Sequence, residues 1–211
     1  MSGPRWCPRM AAPTSTIPDM GAGGRVVVVG SFNVDHAWQA PALPRPGETL
    51  AGRYATGPGG KGFNQAVASA RAGATTSFVC ALGDDDGGAL ARTLAAGNGI
   101  ALHPATSGAP TGTAGIFVDG EGRNSIVIGA GANADLDAAF VSAQDELFSA
   151  AAVVLVQLET PLDSVAAALR AGRARGAPTI LNPAPAPLLD AATTAALLAL
   201  ADVLTPNESE L

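Results

Sequence analysis

The chain has 211 residues, 47% of them hydrophobic and 14% charged, with a formal net charge of −6. That composition suits one globular domain with a buried core and excludes a disordered chain or two full domains. The acidic balance leaves no basic footprint for nucleic acid or an anionic membrane, and no apolar run is long enough to cross a bilayer, so small neutral or phosphorylated ligands are the open class.

Residues 1–24 hold Arg5, Arg9 and four prolines without the apolar core of a signal peptide. They are expected to form a flexible N-terminal extension outside the fold, with Met10 and Met20 as alternative starts. Cys7 falls in this leader and Cys80 in an apolar run. That pairing gives neither a disulfide framework nor a zinc spacing, which predicts a reducing, cytoplasmic setting.

Residues 25–31 (RVVVVGS) form a β-branched run without alternation, the mark of a strand buried on both faces of a parallel sheet. The runs at 76–83, 151–159, 178–183 and 201–206 repeat that character. Between them, 62–72, 87–98, 136–149, 162–175 and 188–200 are Ala/Leu-rich with helical spacing. Strand and helix alternate, so the predicted fold class is α/β, a doubly wound and mostly parallel sheet flanked by helices. Two segments break the alternation. Residues 33–56 carry Pro41, Pro44 and Pro46 without a helical period, and 113–128 reads as a hairpin around Asp119-Gly120-Glu121-Gly122. Together, segments of about 33–56 and 109–128 predict a small β-sheet lid over the carboxyl ends of the main strands, where ligands of open α/β sheets bind.

The chemistry gathers at those ends. Gly57-Pro58-Gly59-Gly60-Lys61-Gly62 formally contains G-x-G-x-x-G, and Asp84 stands roughly where a dinucleotide fold would put its ribose-binding acid. The residues before it include Arg53 and Tyr54 where a buried strand needs apolar side chains, which counts against a dehydrogenase. A Walker A loop fails because glycine, not Ser or Thr, follows Lys61. What remains is a glycine loop opening a helix that carries Lys61, Asn64 and Gln65 in its first turns, a place where free N–H groups favour oxygen-rich ligands. The same glycines could simply turn a corner. Lys61 is the only lysine beside eleven arginines, which favours a specific use of its compact ammonium.

Asn33 and Asp35 follow the first strand at i, i+2 spacing and point the same way if the backbone stays extended, as two hydroxyl-binding groups for a polyol or as an Asx turn. His36 beside them takes a surface or packing role. Glu159 ends the apolar run 153–158, so its carboxylate needs a partner or a ligand. Asn182 and Asn207 end the last two strands, and Glu210 follows Asn207 by three residues. Asn-x-x-Glu there suits a metal-bound water and phosphate oxygens, or a helix cap. Asp84-Asp85-Asp86 reads as an acidic helix start more than a metal cluster.

Taken together, Gly30-Ser31-Phe32-Asn33-Val34-Asp35, Pro46-Gly47-Glu48-Thr49, Gly59-Gly60-Lys61-Gly62-Phe63-Asn64-Gln65-Ala66, Gly129-Ala130-Gly131-Ala132-Asn133, Gln157-Leu158-Glu159, Asn182-Pro183-Ala184-Pro185-Ala186 and Thr205-Pro206-Asn207-Glu208-Ser209-Glu210 resemble the PfkB-type carbohydrate kinases, in their ribokinase branch. The resemblance implies a ribokinase-like fold and ATP-dependent phosphorylation of a sugar, D-ribose first. It implies sugar contacts from Asn33, Asp35, Gly60, Lys61, Asn64 and Glu159, ATP facing Asn207, and magnesium placed by Glu210. It further implies a homodimer formed through the lid. Phe63 stands where the family has a small residue and is expected to tighten the cleft or shift sugar preference.

No Gly-x-Gly-Asp occurs in the 211 residues. The aspartate that the resemblance implies as catalytic base is therefore expected beyond Leu211, with most nucleotide-binding segments and the potassium site, and the fragment is expected to be inactive. A sheet edge left open after 201–206 is expected to invite pairing with another chain. Other readings are a non-catalytic sugar-binding or dimerising fragment, and another sugar or nucleoside kinase of the family.

Overall fold

The computed structural model describes residues 24–185 and 190–208. A parallel sheet of six strands runs in the order β10-β9-β8-β1-β4-β5. Its members are β1 (Arg25–Val29), β4 (Thr75–Gly83), β5 (Ala101–Ser107), β8 (Ala151–Val156), β9 (Thr179–Leu181) and β10 (Val203–Leu204). A second, mixed sheet of β2 (Asn33–Gln39), β3 (Arg53–Gly59), β6 (Gly112–Val118) and β7 (Asn124–Gly129) runs in the order β3-β2-β6-β7.

Strand β1 is central because its valines serve both faces. Val27 and Val29 pack with Leu136, Val141, Phe148, Val165 and Leu169 on one side, whereas Val26 and Val28 pack with Phe63, Phe78, Ala91 and Ala95 on the other. The first layer is built by α3 (Ala138–Ser142), α4 (Asp145–Ser149) and α5 (Leu162–Ala174), joined by α6 (Ala191–Leu198) through Leu197; the second is built by α1 (Lys61–Arg71) and α2 (Asp86–Gly97). Each such fully buried Val, Leu or Phe contributes roughly 1.5–3 kcal/mol. Alanine at the contact positions lets the helices lie close to the sheet.

The alternating pattern read from the sequence is borne out, with three differences. Strand β5 was not anticipated, because His103 and Pro104 interrupt its apolar character. It lies at the sheet edge beside β4, where a proline without an N–H is tolerated. The helix expected over 136–149 is two helices. The Asp137 side chain accepts from Phe140 N at 2.6 Å and starts α3, and Gln144 leaves helical geometry before α4 begins. The bend lets Val141, Leu147 and Phe148 all reach the core. Helix α6 starts at Ala191 because Asp190 caps Thr193 N at 2.8 Å; residues 186–189, at the start of the expected helix, lie outside the described residues, as does the N-terminal extension through residue 23.

In the small sheet, β6 and β7 form the expected hairpin. The buried Asp119 carboxylate accepts from Glu121 N, Arg123 N and Arg123 Nε at 2.9, 2.9 and 2.7 Å, and Gly122 turns the chain at φ 82. Strands β2 and β3, antiparallel to each other, form the two ends of the proline-bearing segment, and Pro41, Pro44 and Pro46 lie in the connection between them. On the main sheet, β10 is an edge strand with Val203 and Leu204 about half exposed, at 46% and 44%.

Candidate active site

The carboxyl ends of β1 and β8 meet the start of α1 and the base of the small sheet. The centre is Glu159, just past β8. Its Oε2 accepts from Ser31 Oγ at 2.5 Å and from the Lys61 backbone N at 2.8 Å. The first helical N–H groups have no partner within their own helix, so a carboxylate at that point satisfies one of them and complements the helix dipole. Ser31 is fully buried, and its Oγ also lies 3.4 Å from Gly62 N.

Gly60 opens α1 at φ 89, a left-handed backbone that a side chain rarely adopts, and a Cβ there would lie 2.8 Å from Ser31 O and 2.9 Å from Asn33 N. The loop therefore has to be glycine to lie against the β1 end. The Lys61 ammonium forms no ion pair among the described residues, which leaves it available to a ligand.

Asn33 and Asp35 share one face of β2, opposite Gly59 and Gly57. The Asp35 carboxylate lies over Gly59, where an added Cβ would come within 2.3 Å of all its carboxyl atoms. Burial, and secondarily the neighbouring Glu159 carboxylate, push the Asp35 pKa up, while His36 pulls it down. Two carboxylates thus lie within electrostatic reach of each other, a pattern of hydrogen-bond acceptors that suits hydroxyl groups.

The raised Asp35 pKa fixes a stability trend. The folded chain holds this proton more tightly than the unfolded chain, so stability falls as pH rises through the ordinary carboxylate range and up to the raised folded value. Asp35→Asn is therefore expected to stabilise the chain slightly near neutral pH, with the gain vanishing below about pH 4. Denaturant midpoints of the two proteins measured at both pH values test this; a destabilised Asp35→Asn at neutral pH would contradict it.

Asn33, Asp35, Gly60, Lys61 and Glu159 thus lie together around the start of α1. Asn64 stands apart: it is exposed, one residue beyond Phe63 on α1, and lines a groove of about 520 Å³ with Pro58, Val67, Arg71, Leu94 and Asn98. Asn207 is exposed past β10, and Glu210 lies outside the described residues. Asn182 donates to Thr205 O at 2.7 Å and so pins the chain after β10 to the end of β9. Among the described residues, no group of three His, Cys, Asp or Glu side chains could hold a metal ion.

Phe63 corrects its expectation. It is 2% exposed, meets Phe32 edge-on at 5.0 Å and Phe78 at 6.0 Å, and fills the core instead of narrowing the cleft. Asp85 in the acidic triplet is a cap: it accepts from Gly88 N at 2.8 Å, and from Thr111 N at 2.7 Å and Thr111 Oγ1 at 2.6 Å, bonds that hold its pKa down, the Thr111 hydroxyl first. The G-x-G-x-x-G reading also fails on geometry, because its first two glycines, Gly57 and Gly59, lie within β3, a largely exposed strand antiparallel to β2, and do not follow a buried parallel strand.

Three residues without an assigned role matter here. Ser31 orients Glu159. Gln157, fully buried, donates to Gln65 Oε1 at 2.6 Å and ties the β8 end to α1, while its own Oε1 lies buried without a partner against Gly30. Asn133 binds the backbone of Phe32. Each stands inside a recognisable motif, but only the fold shows what it touches.

Residues 24–211 match the pfkB family of carbohydrate kinases. Over 188 residues the chain is 41% identical to a ribokinase of Haemophilus influenzae, a match that takes in 88% of this chain and 60% of the relative. The fold superimposes on the ribokinase of Giardia lamblia with a TM-score of 0.82 at 32% identity, over 89% of this chain and 58% of that one. It superimposes on Arabidopsis thaliana ribokinase complexed with ribose and ATP with a TM-score of 0.73 at 33% identity, over 90% and 62%. The chain thus spans about three fifths of the length of the relatives it matches.

Proposed function

Because the chain belongs to the pfkB family of carbohydrate kinases, we propose that it forms the sugar-binding half of a ribokinase, which transfers a phosphoryl group from ATP to D-ribose to give D-ribose 5-phosphate. One observation carries this reading: Glu159 is held at the β8 end by Ser31 Oγ and the Lys61 backbone N, with the Asp35 carboxylate as its neighbour. Acceptor carboxylates beside a free ammonium and a glycine-bared backbone suit a neutral polyol. The names of the relatives point to ribose.

Within this reading Asn33, Asp35, Gly60, Lys61 and Glu159 bind and orient the sugar, and Asn64, on the neighbouring groove, is assigned to the same ligand. In-line phosphoryl transfer depends on such positioning and on neutralising charge at the group transferred. ATP supplies that group, and we assign its approach to the Asn207 end of the main sheet. Magnesium is assigned to the nucleotide phosphates, with Glu210 helping to place it. The small sheet acts as a lid over the sugar.

A homodimer through that lid is supported by its outer face. Trp38 lies opposite Tyr54 and Phe117, with both ring pairs at 5.3 Å, and Trp38, Tyr54 and Val127 remain 38%, 54% and 70% exposed. A contiguous aromatic face of this kind suits burial against a second copy. A cytoplasmic setting accords with the free, buried Cys80.

The test is twofold. D-ribose is expected to give a calorimetric signal with the 211-residue chain, and Lys61→Ala to weaken it by about tenfold or more. Silence at millimolar ribose would sink the sugar reading, and an unchanged Lys61→Ala affinity would reduce the loop to a structural turn. Ribose-dependent ADP formation by the same chain is expected to be undetectable, since none of its 211 residues stands in a Gly-x-Gly-Asp segment; clean turnover would require a base among the residues already present.

A further inference from the structure

We propose that Asn133 is a positioning residue that fixes the Asn33 side chain as a hydrogen-bond donor toward the sugar. The inference rests on the sugar-binding reading above and deepens it, because it states which atoms of the ligand the cleft can accept.

The backbone groups of Phe32 have roles that cannot be exchanged. A backbone N–H only donates and a backbone C=O only accepts. Asn133 Oδ1 accepts from Phe32 N at 3.0 Å, and Asn133 Nδ2 donates to Phe32 O at 3.0 Å. The carboxamide thus stands in for a strand partner at Phe32, where the chain leaves the main sheet for the small one, and its orientation is set by the backbone. The same Nδ2 then donates to Asn33 Oδ1 at 2.8 Å. That bond sets the second amide in turn: Asn33 Oδ1 points inward, and Nδ2, which has no partner among the described residues, is the group left for a ligand.

The surroundings hold this relay rigid. Asn133 and Asn33 are 1% and 3% exposed. Asn133 sits in a short 3-10 turn (Gly131–Asp135) fastened by Ala132 N to Pro110 O at 2.7 Å. Gly112, directly opposite Asn33 on β6, leaves the required space, for a Cβ there would come within 2.2 Å of Asn133 Nδ2 and 2.4 Å of Asn33 Oδ1.

The chemical consequence is a directional code. An ionised carboxylate only accepts, so Asp35 and Glu159 call for donors, while Asn33 Nδ2 calls for an acceptor. Hydroxyl groups meet both demands at once. A phosphate or carboxylate group in the same place meets only the second and is repelled by the two acids, so the cleft selects an unphosphorylated polyol.

Two experiments decide the matter. In the ligand-free chain, side-chain amide exchange followed by NMR is expected to show protected Asn133 Nδ2 protons and faster exchange at Asn33 Nδ2; the reverse order overturns the inference whether or not a sugar binds. Asn133→Asp keeps the acceptor for Phe32 N–H but sets an oxygen against Asn33 Oδ1, forcing that amide to turn. D-ribose affinity is expected to fall about ten- to a hundredfold. In an Asn33→Leu background the same substitution is expected to add less than about twofold; fully additive losses overturn the inference. A wild-type chain that does not bind ribose defeats the sugar reading, and the exchange order still decides the role of Asn133.

Discussion

Glu159→Ala is expected to abolish detectable ribose binding and to lower stability by about 2–4 kcal/mol. The stability term follows from what the carboxylate satisfies. Ser31 Oγ is fully buried and donates to Glu159 Oε2, and the Lys61 backbone N donates to the same oxygen. Alanine leaves both donors without their acceptor, and each buried donor so orphaned costs about 1–3 kcal/mol. The binding term follows because the same bonds hold the start of α1 against β8, so the ligand loses one acceptor directly and a well-placed Lys61 indirectly. Glu159→Gln separates the two. An amide oxygen can still accept from Ser31 and Lys61, so most of the stability should survive, while the charge that helps to raise the Asp35 pKa is gone. Denaturant titration and calorimetry on both variants give the comparison. Equal stability of the alanine and wild-type chains would mean that Glu159 anchors nothing.

The main sheet was legible from its apolar strands because parallel strands buried on both faces write an unmistakable run, as at Val26–Val29 and in β8. Strand β5 was not legible, since an edge strand is released from that demand and can carry His103 and Pro104. In the site, Glu159, Asp35 and Lys61 could be found as polar residues stranded at strand ends or in a glycine loop. Ser31, Gln157 and Asn133 could not be given roles, because their partners Glu159, Gln65 and Phe32 lie 128, 92 and 101 residues away in sequence. Phe63 shows the opposite failure. It follows Gly62 in the ligand loop, but the helical turn rotates its ring into the core beside Phe32, a rotation that spacing alone suggests but only packing fixes.

Gly62→Ala is expected to be more damaging to the fold than any other single methyl added to this loop, costing about 2–4 kcal/mol or preventing folding. A Cβ at Gly62 would lie 2.5 Å from Ser31 N, 2.7 Å from Gly30 C and 2.8 Å from Gly30 Cα. All three are backbone atoms, so no side chain can swing aside. Relief requires α1 to move away from the end of β1, and that movement draws the Lys61 N–H off Glu159 and loosens Phe63 and Ala66 from the core. Gly60→Ala adds a conformational penalty at φ 89 to contacts of 2.8–3.0 Å, but the loop that carries it can shift with less loss of packing than a docked helix. Gly57→Ala supplies the control in the same stretch, because its Cβ would meet nothing within 4 Å and β-strand geometry accepts alanine. Thermal unfolding of the three variants should rank them Gly62→Ala, Gly60→Ala, Gly57→Ala from most to least damaged. A Gly62→Ala chain as stable as Gly57→Ala would show that the helix start does not lie against the β1 end, and with it the glycine loop would lose its place at the centre of the site.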